Sequence, residues 1–247
     1  MRSTNGPARM TTPDGLPLVV IACRVFRGLL DAHLPSEVID QITFLDYGLH
    51  RVPVNLRLAV QQEIDALDQP SLVVLGYGLC GNGLKGVKSR DNTLLISRAD
   101  DCIAILLGSY RRYIEEFESE PGTYYLTKGW LESGSNPLSE FEEYKERYGS
   151  DEAQWLMDQQ YQHYKRLVLV AHSPADLEKY RPQAREVAAY CERWGMRYEE
   201  ILGAETYVRR LAQVAQSPMD VDQEFIIVPP GGELRQQQFI SRNNGGA

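Results

Sequence analysis

The sequence has few cysteines, a deficit of basic residues and no long apolar run. No apolar stretch approaches the roughly 20 residues of a membrane-spanning helix, so we expect no membrane partner. The 26 Lys and Arg residues are outnumbered by 34 Asp and Glu, giving a net charge of −8. Nucleic acids and anionic membranes bind basic surfaces, so neither is an expected partner. The four cysteines include no C-x-x-C pair, which argues against a disulfide framework and the familiar zinc-finger signatures.

The first 17 residues lack the apolar core of a secretory signal peptide and are rich in Pro and Gly. We therefore predict a disordered lead-in over residues 1–17. The chain is long enough for one large domain, which we place at residues 18–234, followed by a polar tail at 235–247. Together with the unpaired cysteines, these features favour a cytoplasmic location.

Short apolar runs alternate with helical patterns along the chain. Apolar runs that end at turn residues are typical of buried strands, and we predict strands at residues 18–22, 38–45, 72–75, 93–97, 167–171 and 224–228. Helical patterns predict helices at residues 24–33, 53–68, 103–117, 182–194 and 206–215. This alternation favours an α/β fold with a mostly parallel, doubly wound sheet and helices on both faces.

Residues 118–166 depart from this pattern, because they are rich in Tyr, Trp, Glu and Gly and contain no long aliphatic run. We predict a loop with a short strand at residues 122–137 and a polar helix at residues 138–164. The segment is either an insertion that covers the strand ends as a lid or a solvated helical crossover between two strands.

Cys80 lies in a glycine-rich stretch that follows the third strand. Residues 72–86 have the sequence LVVLGYGLCGNGLKG, in which five glycines fall within eleven residues. Glycine adopts backbone conformations that a Cβ atom forbids, and ligands bind at the C-terminal edge of open α/β sheets. We therefore predict a functional loop, in which Gly81, Asn82 and Gly83 contact the substrate.

Three of the four cysteines occupy matching places in this pattern. Cys23 follows the first strand, Cys80 follows the third, and Cys102 opens the helix after the fourth. The carboxyl ends of parallel strands share one edge of a sheet, so the three thiols are expected to converge. Cys191 lies within a helical pattern and is assigned to packing.

Three convergent thiols indicate a metal site. Zinc with three protein ligands and one open position is a catalytic arrangement, and three cysteines can equally hold an iron–sulfur cluster with one iron left for substrate. The sequence leaves zinc and an iron–sulfur cluster open. His50 and His172 also follow strands, and each is a candidate for a fourth ligand or a general base.

A metal-free alternative uses Cys80 as a nucleophile. Backbone N–H groups of the glycine loop would stabilise an oxyanion, with His50 or His172 as the base and Asp101 orienting that histidine. The spacing around Cys80 is not the G-x-S-x-G arrangement, so the pattern supports this alternative less well than the metal site.

Four motifs occur in order along the chain: ACxxF, YGLCGNG, RxDDCIxxLLGS and PGTYYLTxGW. With them, residues 18–234 resemble a family of unknown function found in bacteria and archaea. The resemblance implies an association with corrinoid-dependent one-carbon metabolism, alongside methyltransferases for methylated amines. It also marks Tyr124, Thr127 and Trp130 as site candidates, which we assign to substrate binding.

Two functional hypotheses remain. The first is a metal-dependent enzyme of one-carbon metabolism, in which Cys23, Cys80 and Cys102 hold the metal and the substrate is a small molecule. The second is a non-catalytic accessory protein that delivers a metal or cofactor, or that docks on a corrinoid protein or methyltransferase. Its docking surface would be the acidic, Tyr-rich segment that contains Trp130 and Trp155.

Overall fold

The computed structural model describes residues 15–34, 36–218 and 221–240. The predicted lead-in at residues 1–17 lies outside these ranges except for its last three positions. The predicted polar tail at residues 235–247 is described as far as residue 240, and its described part contains a short helix.

Within those ranges the chain alternates strands and helices. The strands are β1 Leu18–Cys23, β2 Gln41–Leu45, β3 Leu72–Gly76, β4 Thr93–Ser97, β5 Thr123–Thr127, β6 Arg166–Ala171, β7 Arg197–Leu202 and β8 Phe225–Val228. The α-helices are α1 Arg27–His33, α2 Pro53–Asp65, α3 Cys102–Leu107, α4 Tyr110–Ser119, α5 Lys128–Ser133, α6 Pro137–Tyr148, α7 Ser150–Tyr161, α8 Pro174–Cys191, α9 Thr206–Gln216 and α10 Gln236–Ile240. Short 3-10 helices span Arg24–Phe26, Tyr47–Arg51 and Glu192–Trp194. Across the described ranges, no helix has the length and apolar character needed to cross a membrane.

The strands belong to two sheets, one in each of two compact units. The first unit comprises the described residues up to Cys102 and from Tyr207 onward, and the second comprises Ile103–Thr206. The prediction of a mixed α/β, mostly parallel fold is confirmed, but the strands are divided between two sheets instead of forming one. Apolar periodicity identifies strands without showing which of them pair.

The first unit contains a five-stranded sheet with the order β2-β1-β3-β4-β8. Its first four strands are parallel, and β8 pairs with β4 in the antiparallel direction. The chain passes from β1 to β2 on one side and then to β3 on the other side of β1, so the strand order reverses between β1 and β3. In open α/β sheets, ligands bind at such a reversal, just outside the carboxyl ends of the strands.

The second unit contains a three-stranded parallel sheet with the order β5-β6-β7. Every residue of the central strand β6 is buried. Its first residue, Arg166, forms ion pairs with Glu116 at 2.7 Å and with Glu199 at 3.2 Å. A buried charge is tolerated when it is paired in this way.

The predicted insertion at residues 118–166 supplies β5 and α5 to α7 of this second unit. The stretch expected to be mainly loop contains β5, which pairs with β6 along its whole length. The single polar helix expected at residues 138–164 is two helices, α6 and α7. Gly149 separates them with a φ of 87°, a conformation that glycine adopts without strain.

Helix α8 begins eight residues before the predicted start at residue 182. Its N-terminus is capped by Ser173, whose side chain accepts a hydrogen bond from the Asp176 N–H. Ser followed by Pro174 in the first turn is a strong helix-start signal. Pro182 therefore lies inside the helix, where it lacks an N–H donor and its ring crowds the preceding turn.

Pro182→Ala is expected to stabilise the protein, because alanine restores the N–H donor inside α8 and removes the crowding by the ring. The free energy of unfolding should rise by about 1–3 kcal/mol. Pro174→Ala is the matched control and should give no gain, because proline is favourable in the first turn. Denaturant unfolding of both variants checks the prediction, which an unchanged or lower stability of Pro182→Ala would contradict.

Candidate functional site

The candidate site lies at the carboxyl ends of β1 and β3 in the first unit. Ala22 of β1 pairs with Gly76 of β3. Cys23 follows Ala22 and Tyr77 follows Gly76, so these two residues lie at the same level of the sheet edge. Cys23 is 8% exposed and Tyr77 is 2% exposed. Both residues are therefore buried at the ends of the central strands, at the point where the strand order reverses.

The loop that follows β3 is joined by backbone hydrogen bonds to the loop that follows β4. The N–H of Leu79 donates to the carbonyl of Ala99 at 2.8 Å, and the N–H of Cys80 donates to the carbonyl of Asp100 at 2.9 Å. These two bonds fix the position of Cys80 against the segment that leads into α3.

Gly78 permits this close approach. A Cβ atom at position 78 would lie 2.8 Å from backbone atoms of Asp101, a distance that no other residue could accommodate without moving the backbone. Asp101 immediately precedes Cys102, the first residue of α3. Cys80 and Cys102 are therefore neighbours in space, although they belong to different loops.

The thiols of Cys23, Cys80 and Cys102 lie within electrostatic reach of one another. Burial is the main cause that raises the pKa of Cys80 and of Cys102, and further contributions come from Asp101 and from the neighbouring thiols. The structure thus brings together the three cysteines and the carboxylate that the sequence analysis selected.

Backbone N–H groups point at two of these sulfurs. Burial raises the pKa of Cys23 to about 11, and the N–H of Val25 opposes this rise by donating to the sulfur. The sulfur of Cys80 likewise accepts hydrogen bonds from the N–H groups of Gly78 and Cys102. Donors of this kind favour a thiolate, but burial outweighs them, so the thiols are neutral near pH 7.

These pKa directions argue against Cys80 as a metal-free nucleophile. A nucleophilic cysteine needs a lowered pKa, which a nearby positive charge or base provides. Burial raises the pKa of Cys80, and the negative charge of Asp101 raises it further. A bound metal ion would supply the positive charge that converts such a thiol to a thiolate.

The three thiols fit a thiophilic metal in type and number. Among residues 15–34, 36–218 and 221–240, however, no group of three His, Cys, Asp or Glu side chains is placed so that it could hold a metal ion. Cys80 and Cys102 are partly exposed as residues, although their thiols are buried.

Two of the three residues that were predicted to contact the substrate are exposed to solvent. Gly81 and Asn82 are exposed, whereas Gly83 is buried and its N–H donates to the carbonyl of Cys80 at 3.0 Å. Cys80 and Asn82 have φ values of 49° and 69°, which are uncommon for residues with a side chain. Backbone strain of this kind is concentrated at functional sites.

His50 lies in the 3-10 helix that follows β2. Burial lowers the pKa of His50, and a hydrogen bond from the ring to the carbonyl of Tyr47 opposes this shift. The neutral imidazole near pH 7 therefore has one ring nitrogen committed to its own helix, so any role as ligand or base falls to the other nitrogen.

The remaining candidates, Tyr124, Thr127, Trp130 and His172, belong to the second unit. Tyr124 and Trp130 pack against its hydrophobic core, and Thr127 is buried at 2% exposure. The Nε2 atom of His172 donates to the carbonyl of Leu106 at 2.9 Å, and burial lowers the pKa of this histidine. Each of the four thus has a place in the packing of its own unit.

Tyr77 belongs to the site but was not selected from the sequence. Its hydroxyl is buried without a hydrogen-bond partner among the described residues. Burial raises the pKa of this phenol, and Cys23, Cys80 and Cys102 raise it further. The sequence signal for Tyr77 was its position directly after β3, level with Cys23. The burial of its hydroxyl without a partner depends on tertiary packing and could not be predicted.

The stability of the metal-free protein is expected to fall as the pH rises from 9 to 11. The pKa of Cys23 is raised from 9.0 to about 11 on folding, so over this range the unfolded chain releases a proton that the folded chain retains. The resulting loss for this one thiol is roughly 2–3 kcal/mol.

Denaturant unfolding of the wild type and of Cys23→Ala, at pH values from 7 to 11, checks this expectation. The variant should lose less stability with rising pH than the wild type, because its thiol is missing from both states. Its stability at pH 7 serves as the reference for the substitution itself. Parallel curves for the two proteins across pH 9–11 would contradict the assigned shift.

Comparison with protein families identifies a family to which the chain is similar. A family described as a protein of unknown function, DUF1638, matches residues 44–211, which include Cys80, Asp101 and Cys102 but not Cys23. No curated protein matches the chain, and no solved structure matches it. Because the matched segment is more than half of the sequence, the chain belongs to the DUF1638 family.

Proposed function

We propose that this protein is a metal-dependent enzyme of one-carbon metabolism, with Cys23, Cys80 and Cys102 as ligands of zinc or of an iron–sulfur cluster. The observation that carries the proposal is the convergence of three thiols at the sheet edge where the strand order reverses. They come from three separate segments, so local sequence alone does not explain their proximity.

The donor set supports a site with one open position. Three sulfurs leave the fourth position of a tetrahedral zinc ion for a substrate, or one iron of a cluster. When bound, zinc would supply Lewis-acid chemistry, and a cluster would supply redox chemistry. The chain's own contribution is to hold the sulfurs through backbone N–H groups, as at Cys23 and Cys80.

The surrounding charges support a cation. Beyond the effect of burial, Asp101 raises the pKa of two of the thiols and Asp46 raises that of Cys23. Arg24 lies near Cys23, but it is also paired with Asp46 at 3.8 Å. Once the thiols lose their protons the site is strongly negative, and a divalent ion would offset that charge.

Methyl-group or one-carbon transfer is the reaction class, and it rests on the family resemblance rather than on geometry. The substrate is a small molecule that contacts the exposed residues Gly81 and Asn82 of the glycine loop. Asp101, beside the thiols, is the acid–base candidate. His50 is a second candidate through the ring nitrogen that does not face Tyr47.

We also propose that the sheet of the first unit is doubly wound and that the protein is cytoplasmic. A doubly wound sheet with helices on both faces would account for the complete burial of β1 and β3. A cytoplasmic location would account for four cysteines that are all free thiols.

A specific observation favours the accessory protein as a second candidate. Trp155 of α7 is 61% exposed and Tyr148 of α6 is 54% exposed, and large exposed aromatic side chains are typical of protein interfaces. A partner such as a corrinoid protein or methyltransferase would bind there. A stable complex in a pull-down, without turnover of methylated amines or folates, would favour this function over catalysis.

Cys80→Ser is expected to remove most of the bound metal while the fold is retained, because the hydroxyl of serine is a poor ligand for zinc or iron in a thiolate site. Elemental analysis and an absorption spectrum of protein purified without oxygen give the metal content. Colour with iron and sulfide identifies a cluster, whereas colourless protein with about one zinc per chain identifies a zinc site.

Cys191→Ser is the matched control. Cys191 is fully buried in the core of the second unit, and burial raises its pKa to about 12. We expect this variant to keep the wild-type metal content, since Cys191 packs among apolar side chains. Full metal content in Cys80→Ser, or equal losses in both variants, would contradict the proposed ligand set.

A further inference from the structure

Helix α2 carries an exposed apolar patch at its N-terminal end. Val54 and Leu58 are 53% and 58% exposed, and because they are four residues apart they lie on the same face of the helix. Val52, which directly precedes the helix, is 49% exposed. Single exposed apolar side chains are ordinary, but neighbouring ones mark an interaction surface. This end of α2 is therefore a candidate for contact with a partner.

The residue that caps this end of the helix does not stabilise it. Val52 occupies the N-cap position and makes no side-chain hydrogen bond to the first turn. Ser, Thr, Asp and Asn are the residues that stabilise an N-cap, because their side chains accept a hydrogen bond there. A residue that breaks such a local rule is expected where a function requires it.

The charges along α2 also run against the helix dipole. Residues 51–58 contain two arginines and no acidic residue, whereas residues 59–68 contain three acidic residues and no basic one. A helix dipole favours the reverse, with acidic residues near the N-terminus and basic residues near the C-terminus. Arg57 and Asp68 are exposed, and neither forms an ion pair with another residue of the described ranges. A second helix running in the opposite direction would compensate both ends.

The C-terminal end of α2 borders a cavity of about 450 Å³. Its wall combines apolar residues such as Leu67 with the acidic residues Asp68 and Asp91. Arg90 also lines the cavity, but its guanidinium is paired with Asp65 at 2.8 Å. The cavity therefore complements an apolar side chain that is accompanied by a positive charge.

Both halves of this match lie on the same surface of the same chain. The helix from Pro53 to Asp65 is about 20 Å long, so the apolar, basic end and the acidic cavity fit within one interface. The chain has a net charge of −8, and two copies repel each other wherever acidic surfaces meet. Self-association is thus favoured at a face that carries its own complementary charges.

We propose that this face joins two copies of the chain, through α2 helices that pack antiparallel about a two-fold axis. Arg57 of one copy faces Asp68 of the other, which places Leu58 against Leu67 and brings Val54 to the cavity. A two-fold interface uses the same patch on both copies, so each of these contacts occurs twice. The dimer does not depend on the proposed metal site.

Leu58→Asp tests the apolar contact, with Ile240→Asp as the matched control. Leu58 and Ile240 are exposed apolar residues of the first unit, at 58% and 65%, but Ile240 lies outside the proposed interface. In sedimentation velocity over a concentration series, the full chain and Ile240→Asp should form dimers with equal dissociation constants. For Leu58→Asp the dissociation constant should rise about thirtyfold or more, because a charge is buried at the centre of the interface.

Charge reversals test the antiparallel arrangement. Arg57→Asp and Asp68→Arg should each weaken the dimer about tenfold or more, because each variant alone places like charges at both symmetric contacts. An equimolar mixture of the two variants should regain the wild-type affinity, since the mixed dimer has opposite charges at both contacts. Both residues are exposed and both changes suit the helix dipole, so the fold should be retained.

Three results would overturn the inference. They are a wild type that stays monomeric at every concentration, a Leu58→Asp protein that dimerises as well as the wild type, and a mixture of charge variants no more dimeric than its components. If Leu58→Asp fails to fold, the charge variants decide the question alone. Metal content enters none of these outcomes, so failure of the dimer and failure of the proposed function are distinguishable.

Discussion

The close approach of the backbone at Gly78 to the backbone at Asp101 is the constraint on which the candidate site depends. It is made possible by the missing Cβ atom and held by the hydrogen bond from the Cys80 N–H to the Asp100 carbonyl. Without it, the loops after β3 and β4 would end as separate turns, and Cys80 would not lie beside Cys102. A parallel sheet brings strand ends to one edge, but this contact brings two particular side chains together.

Burial and charge then set the chemical state of the site. Burial favours the neutral form of each thiol, and Asp101 raises the pKa of Cys80 and Cys102 further. Backbone N–H groups nevertheless point at the sulfurs of Cys23 and Cys80, which is the arrangement that a thiolate requires. In the proposed metal site, a cation would remove the protons and compensate the negative charge.

The closeness of the cysteines could be predicted from the sequence, because it follows from the order of parallel strands and their ends. Cys23 and Cys80 each come directly after a buried apolar run, or within a few residues of it, and parallel strands place such residues at one edge of a sheet. Tyr77 was missed because its importance lies in an absent hydrogen bond, which only the folded chain reveals. His172 has the same kind of sequence position as the cysteines, yet its ring bonds to the carbonyl of Leu106, a contact between residues distant in sequence.

The same distinction applies to the fold. The positions of most strands could be predicted from apolar periodicity. Helix α8 begins at Pro174, where the local start signals lie, whereas its predicted start was Pro182. The division into two sheets could not be predicted, because the apolar run of β6 does not record whether its neighbour is β5 or a strand of the other unit. Local physics determines the elements, whereas their pairing depends on which faces can be buried together.

Several unfavourable features lie close together in the sequence between Gly76 and Gly83. Cys80 and Asn82 have left-handed backbone conformations that side chains disfavour, the Tyr77 hydroxyl is unpaired, and the thiol of Cys80 lies near a carboxylate. Features of the same kind also occur elsewhere, since Arg90 has a left-handed backbone conformation and the buried hydroxyls of Ser97 and Thr127 have no partner among the described residues. Under the proposed metal site, an ion would turn the thiol of Cys80 into a thiolate and balance the charge of Asp101. In that proposal, the strained backbone would hold Cys80 where it could act as a ligand.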